Sequence, residues 1–149
     1  MLEYARSVHG MADAFHAEYG GDPATALIAP IACAVPGDGP TLNGSYPIHL
    51  RPESVIAQIY GATEIAEAFT CSYGVNPAAR ARLLAGELQE VGWSDDGETR
   101  AIALPGHRFF LATLFLPQLG STPARPHPLI IAFLEASARF AATRSLAGR

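Results

Sequence analysis

The sequence predicts one mixed α/β domain, and three observations carry that expectation. The first is composition: 149 residues, 49% hydrophobic and 16% charged, a balance that builds one core and not a disordered chain. The second is helical periodicity in three stretches, at residues 1–19, 77–91 and 129–146. The third is a set of short apolar or alternating runs between them, separated by Gly, Pro and Asp turn clusters.

Leu2, Ala5, Val8, Ala12 and Phe15 recur near a 3.6 period, with Glu3 early, so residues 1–19 read as a helix. Gly20-Gly21-Asp22-Pro23 ends it. Leu27 to Val35 is a β-type run interrupted by Pro30, and Pro36-Gly37-Asp38-Gly39-Pro40 is a loop. Ser45 to Leu50 alternates as a short strand, which Pro47 assigns to a sheet edge. Ser54 to Tyr60 is a short helix closed by Gly61, and Ala62 to Ala68 reads as a second. Phe69 to Val75 suits a strand. Asn76 caps a helix with Pro77 in its first position, running to about Val91 and stopping at Gly92. Asp95-Asp96-Gly97-Glu98 is a hairpin turn that leads to a returning strand at Arg100 to Leu104. Phe109 to Phe115 is a dense buried strand, Gln118 to Pro128 a polar loop, and Leu129 to about Leu146 a final amphipathic helix.

The bulk properties exclude several classes. The formal net charge is −4, and the ten basic residues are all Arg and scattered, so no basic face points to nucleic acid. The longest apolar run, Leu129 to Leu134, is far too short to span a bilayer. Met1 leads straight into a helical pattern carrying Glu3, unlike a signal peptide. Cys33 and Cys71 are too few for a disulfide scaffold or a Cys-rich zinc site. The five histidines show no tight ligand spacing, so no metal and no cofactor is expected. A reduced, cytoplasmic compartment is the expectation.

Four stretches, in order, resemble the C-terminal half of the class I glutamine amidotransferase domain of CTP synthases. Ala5-Arg6-Ser7-Val8 through Asp13-Ala14-Phe15-His16-Ala17-Glu18-Tyr19 is similar to the helix after the family's nucleophile, which ends in a pattern like D-A-N-S-T-E-F. Leu42-Asn43-Gly44-Ser45-Tyr46-Pro47, with Ile59-Tyr60-Gly61, resembles R-L-G-x-x-P and a following Y-G. Phe69 through Pro77 stands in the place of R-H-R-H-R-Y-E-V-N. Leu104 through Gln118, then Ser121 and Arg125-Pro126-His127-Pro128-Leu129, resembles L-P-x-H-P-F-F-V-A-T-Q-F-H-P-E and S-x-P-x-R-P-H-P-L. The Cys71-Ser72-Tyr73-Gly74-Val75-Asn76-Pro77 and Phe115-Leu116-Pro117-Gln118 segments look closer to the uncharacterised CTP synthase C-terminal region-related proteins.

The resemblance implies a flavodoxin-like α/β sandwich around a mostly parallel sheet, here as a single partial domain over residues 1–149 whose N-terminal strands and nucleophile elbow are missing. It also implies a chemistry: a Cys thiolate, a His that takes its proton, and a Glu that orients the His. Neither Cys33 nor Cys71 occupies the elbow. The family's His is Leu116, which cannot move a proton, and its Glu is Gln118, which is uncharged. Cys71 remains a weak candidate for a new thiol lining the old pocket, against the plainer reading of a small buried hydrophobe on a strand.

Substrate contacts are partly kept. Glu18 matches a family glutamate that contacts the glutamine amino group, Tyr73 remains, and the Arg that pairs with the glutamine carboxylate is Ser72. The expected function is a pseudoenzyme lacking glutaminase chemistry, with a small amino-acid-like ligand near Glu18, Ser72 and Tyr73 or a regulatory role. The alternative is the C-terminal part of an active enzyme, completed by an upstream segment or a partner chain that supplies the missing half. A decaying gene fragment is a third possibility.

Overall fold

The computed structural model describes residues 1–31 and 42–147. Cys33, the Pro36–Pro40 turn and the far end of the Leu27–Val35 run lie outside the described residues.

Helix α1 spans Leu2–Ser7 and strand β1 spans Ile28–Pro30. Strand β2 is Leu42–Leu50, helix α2 Val55–Tyr60, strand β3 Glu64–Cys71 and strand β4 Tyr73–Val75. Helix α3 is Pro77–Leu83, and strands β5, β6 and β7 are Gln89–Trp93, Thr99–Ala103 and Leu111–Thr113. Helix α4, Pro128–Ala147, closes the described chain.

The main sheet has the order β3-β2-β5-β6-β7, and β1 pairs with β4 in a small second sheet. Every strand pair among the described residues is antiparallel, and only the isolated His16–Ile28 bridge is parallel. This corrects the mostly parallel sheet implied by the resemblance. A tight hairpin joins β5 to β6 and a short loop joins β6 to β7, connections that permit only antiparallel pairing, whereas a parallel pair needs a long crossover. The sheet also curls. The chain beyond β7 reaches β3, where the Leu116 N–H donates to the Ala68 carbonyl at 2.9 Å.

Two apolar clusters make the layers. One joins Ile48, Leu50, Val91, Ala101, Ala103 and Phe115 to Ile56 of α2 and Leu129 of α4. The other joins Ile102 to Ala5 of α1, Ile28, Val75, Leu83 and Leu88. Alternation along β6 sends Ala101 and Ala103 to the first cluster and Ile102 to the second. Strand β6 is therefore buried on both faces.

Several elements differ from the sequence expectation. The first helix stops at Ser7, and Gly10 then takes φ +64, a left-handed conformation that turns the chain away. A single 3₁₀ turn, Ala17–Tyr19, is all that remains of its second half. Residues 64–71 are a strand, not a helix. Gly61 ends α2 in the left-handed conformation, and the next segment finds eight ladder positions against β2. Tertiary pairing outweighs helix propensity there. Helix α3 ends at Leu83, not Val91, because His9 Nε2 bonds the Leu83 carbonyl at 3.0 Å and its ring lies where a Cβ on Gly86 would sit. Strand β2 is internal, yet it pairs with β5 only at His49 and Leu50, so Pro47 has a neighbour on one side alone. Phe69–Val75 divides at Ser72 into strands of two sheets. Strand β7 is shorter than Phe109–Phe115 and half-buried; Phe115 is the buried residue of that run.

The Ser54 and Asn76 caps and the Gly97 turn form as the sequence predicts, and the final helix forms but is not amphipathic, with Ile131, Phe133 and Leu134 exposed. Asn76 does more than cap. Its Oδ1 accepts from the Ala78 N–H at 2.9 Å, and its Nδ2 donates to the carbonyls of Pro23, Ala24 and Ala26.

Candidate functional site

The ligand residues expected from the sequence come from two distant segments. Glu18 sits in the 3₁₀ turn and Tyr73 opens β4. His16 joins them. Its ring packs on Tyr73 with centroids 4.7 Å apart and on Tyr19 at 5.5 Å. Its Nδ1 accepts the Glu18 N–H at 3.1 Å, which leaves Nε2 to carry the ring proton, and the Glu18 carboxylate lies 4.0 Å from Nδ1. The His16–Ile28 bridge and the β1–β4 ladder hold the two segments together. Glu18 stays half-exposed. A cleft of about 390 Å³, lined by Leu2, Arg6, Phe15, His16 and Tyr19, opens beside this group. The sequence named Glu18 and Tyr73 but gave His16 no place beside them, because its stacking on Tyr73 spans 57 positions of chain.

Ser72 lies at the break between β3 and β4, where its carbonyl accepts the Ile31 N–H at 3.1 Å. Cys71 ends β3. Its thiol donates to the Leu114 carbonyl at 2.8 Å. Burial pushes the Cys71 thiol above its ordinary pKa; a Thr70 backbone hydrogen bond and the Arg100 charge oppose the shift without overcoming it. That is the opposite of an activated nucleophile. Leu116 is anchored to β3 through its backbone, and Gln118 is exposed in the 3₁₀ turn Pro117–Gly120. The structure thus places Cys71 and Leu116 on the β3 side and Glu18 with Tyr73 on the β1–β4 side.

Two polar groups went unnoticed in the sequence. Arg100 is 2% exposed on β6. Its Nε donates to Ser94 Oγ at 2.8 Å, its Nη2 lies 3.0 Å from Glu98, and its guanidinium sits 5.3 Å from the Phe69 ring centre. Its Nη1 has no hydrogen-bond partner among the described residues. The other group is Tyr60, Glu67 and His127. Tyr60 Oη donates to Glu67 Oε1 at 2.6 Å, and His127 Nε2 donates to the same oxygen at 2.9 Å. His127 Nδ1 accepts the Leu129 N–H, which fixes the tautomer and ties the start of α4 to β3 and α2. No signal at 60, 67 and 127 in the linear chain announces this contact.

A more enclosed cavity of about 210 Å³ lies elsewhere, between the start of α2 and the β6–β7 loop, lined mainly by Val55, Val91, Leu104, Phe109, Phe110 and Leu111. None of the expected ligand residues reaches it. Among the described residues no cluster of three or more His, Cys, Asp or Glu side chains suits a metal ion, and no helix is long and apolar enough to cross a membrane.

The β3-β2-β5-β6-β7 sheet with its packed helices is an α/β sandwich of the class I glutamine amidotransferase kind. A solved structure of the Trypanosoma brucei CTP synthase glutaminase domain with bound acivicin superposes with a TM-score of 0.83 at 27% identity, over 93% of this chain and 55% of that one. No protein-family model matches the chain. The CTP synthase of Bifidobacterium longum is 38% identical over 154 residues, covering 97% of this chain, and that of Mycolicibacterium gilvum is 37% identical over 150 residues. Over almost its whole length the chain is similar to the glutaminase part of CTP synthases. It spans 28% and 26% of those two relatives.

Proposed function

We propose that the chain is a glutaminase-type domain that binds a small amino-acid-like ligand without hydrolysing it. The observation that carries this is the chemistry at the positions resembling the family's catalytic pair. Leu116 and Gln118 move no proton and hold no charge. Cys71 keeps its proton and spends it on a carbonyl. Losing such a unit lowers the rate by several orders of magnitude. The Glu18 carboxylate, the His16 and Tyr73 rings and the adjacent cleft supply a charge for an ammonium group and flat apolar walls. Ser72 removes the family's guanidinium, so carboxylate recognition is weaker. The role is regulatory or structural, in a reduced cytoplasmic setting consistent with two cysteines.

A second reading has its own support. The chain matches only 55% of a solved glutaminase domain and 28% of the Bifidobacterium longum enzyme. It is then the C-terminal part of a CTP synthase-like amidotransferase, completed by another segment or by a partner.

The two readings separate in one experiment. Thermal unfolding is followed with millimolar glutamine, glutamate, UTP, CTP and acivicin, alongside a glutaminase assay. A rise in transition temperature with glutamine or glutamate that Glu18→Ala abolishes, and no ammonia release, supports the first. Ammonia release that survives Cys71→Ser but requires an added segment supports the second. No ligand shift at any concentration refutes the binding role.

A further inference from the structure

The cavity between the start of α2 and the β6–β7 loop lies apart from the Glu18–Tyr73 group and encloses about 210 Å³. Its floor is Val91 of β5 and Ala103 of β6, which are 1% and 2% exposed, and Phe109 and Leu111 wall it. The loop side is already in place. The His107 N–H donates to the Leu104 carbonyl at 3.1 Å, and the Leu104 N–H donates to the Phe110 carbonyl at 3.3 Å. An apolar cavity of about 150 Å³ admits a benzene ring, whereas drug-sized ligands occupy roughly 300–1,000 Å³. This cavity therefore has room for one ring or one branched aliphatic side chain, and is too small for a nucleotide or a long acyl chain.

Opposite charges line it from its two sides. Glu53 stands on the α2 side and Arg108 on the loop side. Both are exposed, and neither has an ion-pair partner among the described residues. Glu53 is also the one non-glycine residue among the described residues with a positive φ, at 62°. Glycine takes that conformation without cost, so a carboxylate is carried there against the preference of the backbone. The Gln58 side-chain amide donates to the Glu53 carbonyl at 2.9 Å and holds the turn. The Arg108 guanidinium lies 3.7 Å from the centre of the Phe140 ring, which stations its charge beside the loop.

We propose that this cavity binds a free α-amino acid with an apolar side chain, the side chain inside, the ammonium at Glu53 and the carboxylate at Arg108. A wholly apolar molecule leaves both charges unused, a carboxylic acid meets Glu53, and an amine meets Arg108. A zwitterion with an apolar body satisfies both charges and the walls. Gln89, also on the lining, adds an amide that can accept from the ammonium or donate to the carboxylate.

The test titrates the 149-residue chain with L-phenylalanine and L-leucine, and with hydrocinnamate and phenethylamine, which lack the ammonium and the carboxylate in turn. Binding is read by calorimetry and by backbone amide chemical shifts. The expected result is saturable 1:1 binding of at least one of the two amino acids, with shifts at residues 53–55 and 104–111, and at least tenfold weaker binding of both analogues. Glu53→Gly and Arg108→Gln each weaken it at least tenfold. Glu53→Gly does so without lowering the unfolding temperature, because glycine relieves the positive φ. Val55→Trp, which fills the cavity from an exposed position, abolishes binding. No saturation with either amino acid at millimolar concentration, analogues that bind as tightly, or binding that survives both Glu53→Gly and Arg108→Gln overturns the inference. So does binding that is lost in Glu18→Ala but kept in Glu53→Gly, a result that assigns the ligand to the Glu18 group and leaves the proposed function standing.

Discussion

Glu67→Ala perturbs a buried polar group that ties three elements together. Glu67 is 7% exposed and His127 5%. One carboxylate oxygen, Oε1, receives both the Tyr60 hydroxyl at 2.6 Å and the His127 Nε2–H at 2.9 Å. Truncation leaves the Tyr60 hydroxyl without its acceptor, while the His127 Nε2–H retains Tyr60 Oη at 3.2 Å. An orphaned buried donor costs about 1–3 kcal/mol. For a domain of this size that lowers the transition temperature by roughly 3–10 °C. Glu67→Gln keeps a carbonyl oxygen in place and is expected to recover most of the loss. In a Tyr60→Phe background one donor is already gone, so Glu67→Ala then costs about 1–2 kcal/mol less than in the parent. The assay is denaturant and thermal unfolding of the four variants by circular dichroism. A loss below about 1 kcal/mol for Glu67→Ala, or strict additivity with Tyr60→Phe, would refute the shared-acceptor reasoning.

Alkaline pH tests the same group from the other side. Burial first, then the Glu67 hydrogen bond and charge, raise the Tyr60 pKa far above its ordinary 10. The folded state therefore holds a proton that the unfolded chain releases, and stability falls as pH rises through about 10, by up to about 1.4 kcal/mol per unit; the fall should be shallower in Tyr60→Phe, and an unchanged slope would count against it. Cys71, its thiol raised by burial, should alkylate several-fold more slowly at pH 7.5 in the folded chain than in the same chain in denaturant, measured by peptide mapping. Asn76→Ala removes an N-cap and three carbonyl contacts, one of them fully buried, and should cost about 2–4 kcal/mol, read by urea unfolding. Gly92→Val should destabilise by about 1–3 kcal/mol, because a Cβ there already meets Ala101 at 3.1 Å and Leu50 at 3.2 Å, and a retained midpoint would show that β5 can move away.

Local chemistry was legible in the chain. Ser54 with Gly61, Asn76 with Pro77, the turn at Gly97 and the periodic run at 129–146 each specify their element through side chains within a few positions. That Leu116 and Gln118 carry no titratable side chain was equally legible, because it is a matter of residue type alone. What the sequence did not determine were the features set by partners far along the chain. Residues 64–71 became a strand because β2 lay alongside, and α3 ended at Leu83 because His9 took its last free carbonyl. Strand β2 became an internal strand despite Pro47, since β5 meets it only at its far end. His16 between Glu18 and Tyr73, the buried Arg100, and Tyr60 with Glu67 and His127 arise the same way. Capping and turn energies act over three or four residues and are written locally. Ladder pairing, ring stacking and the burial of charge exist only once folding has brought separate segments together, so only the tertiary structure decides them.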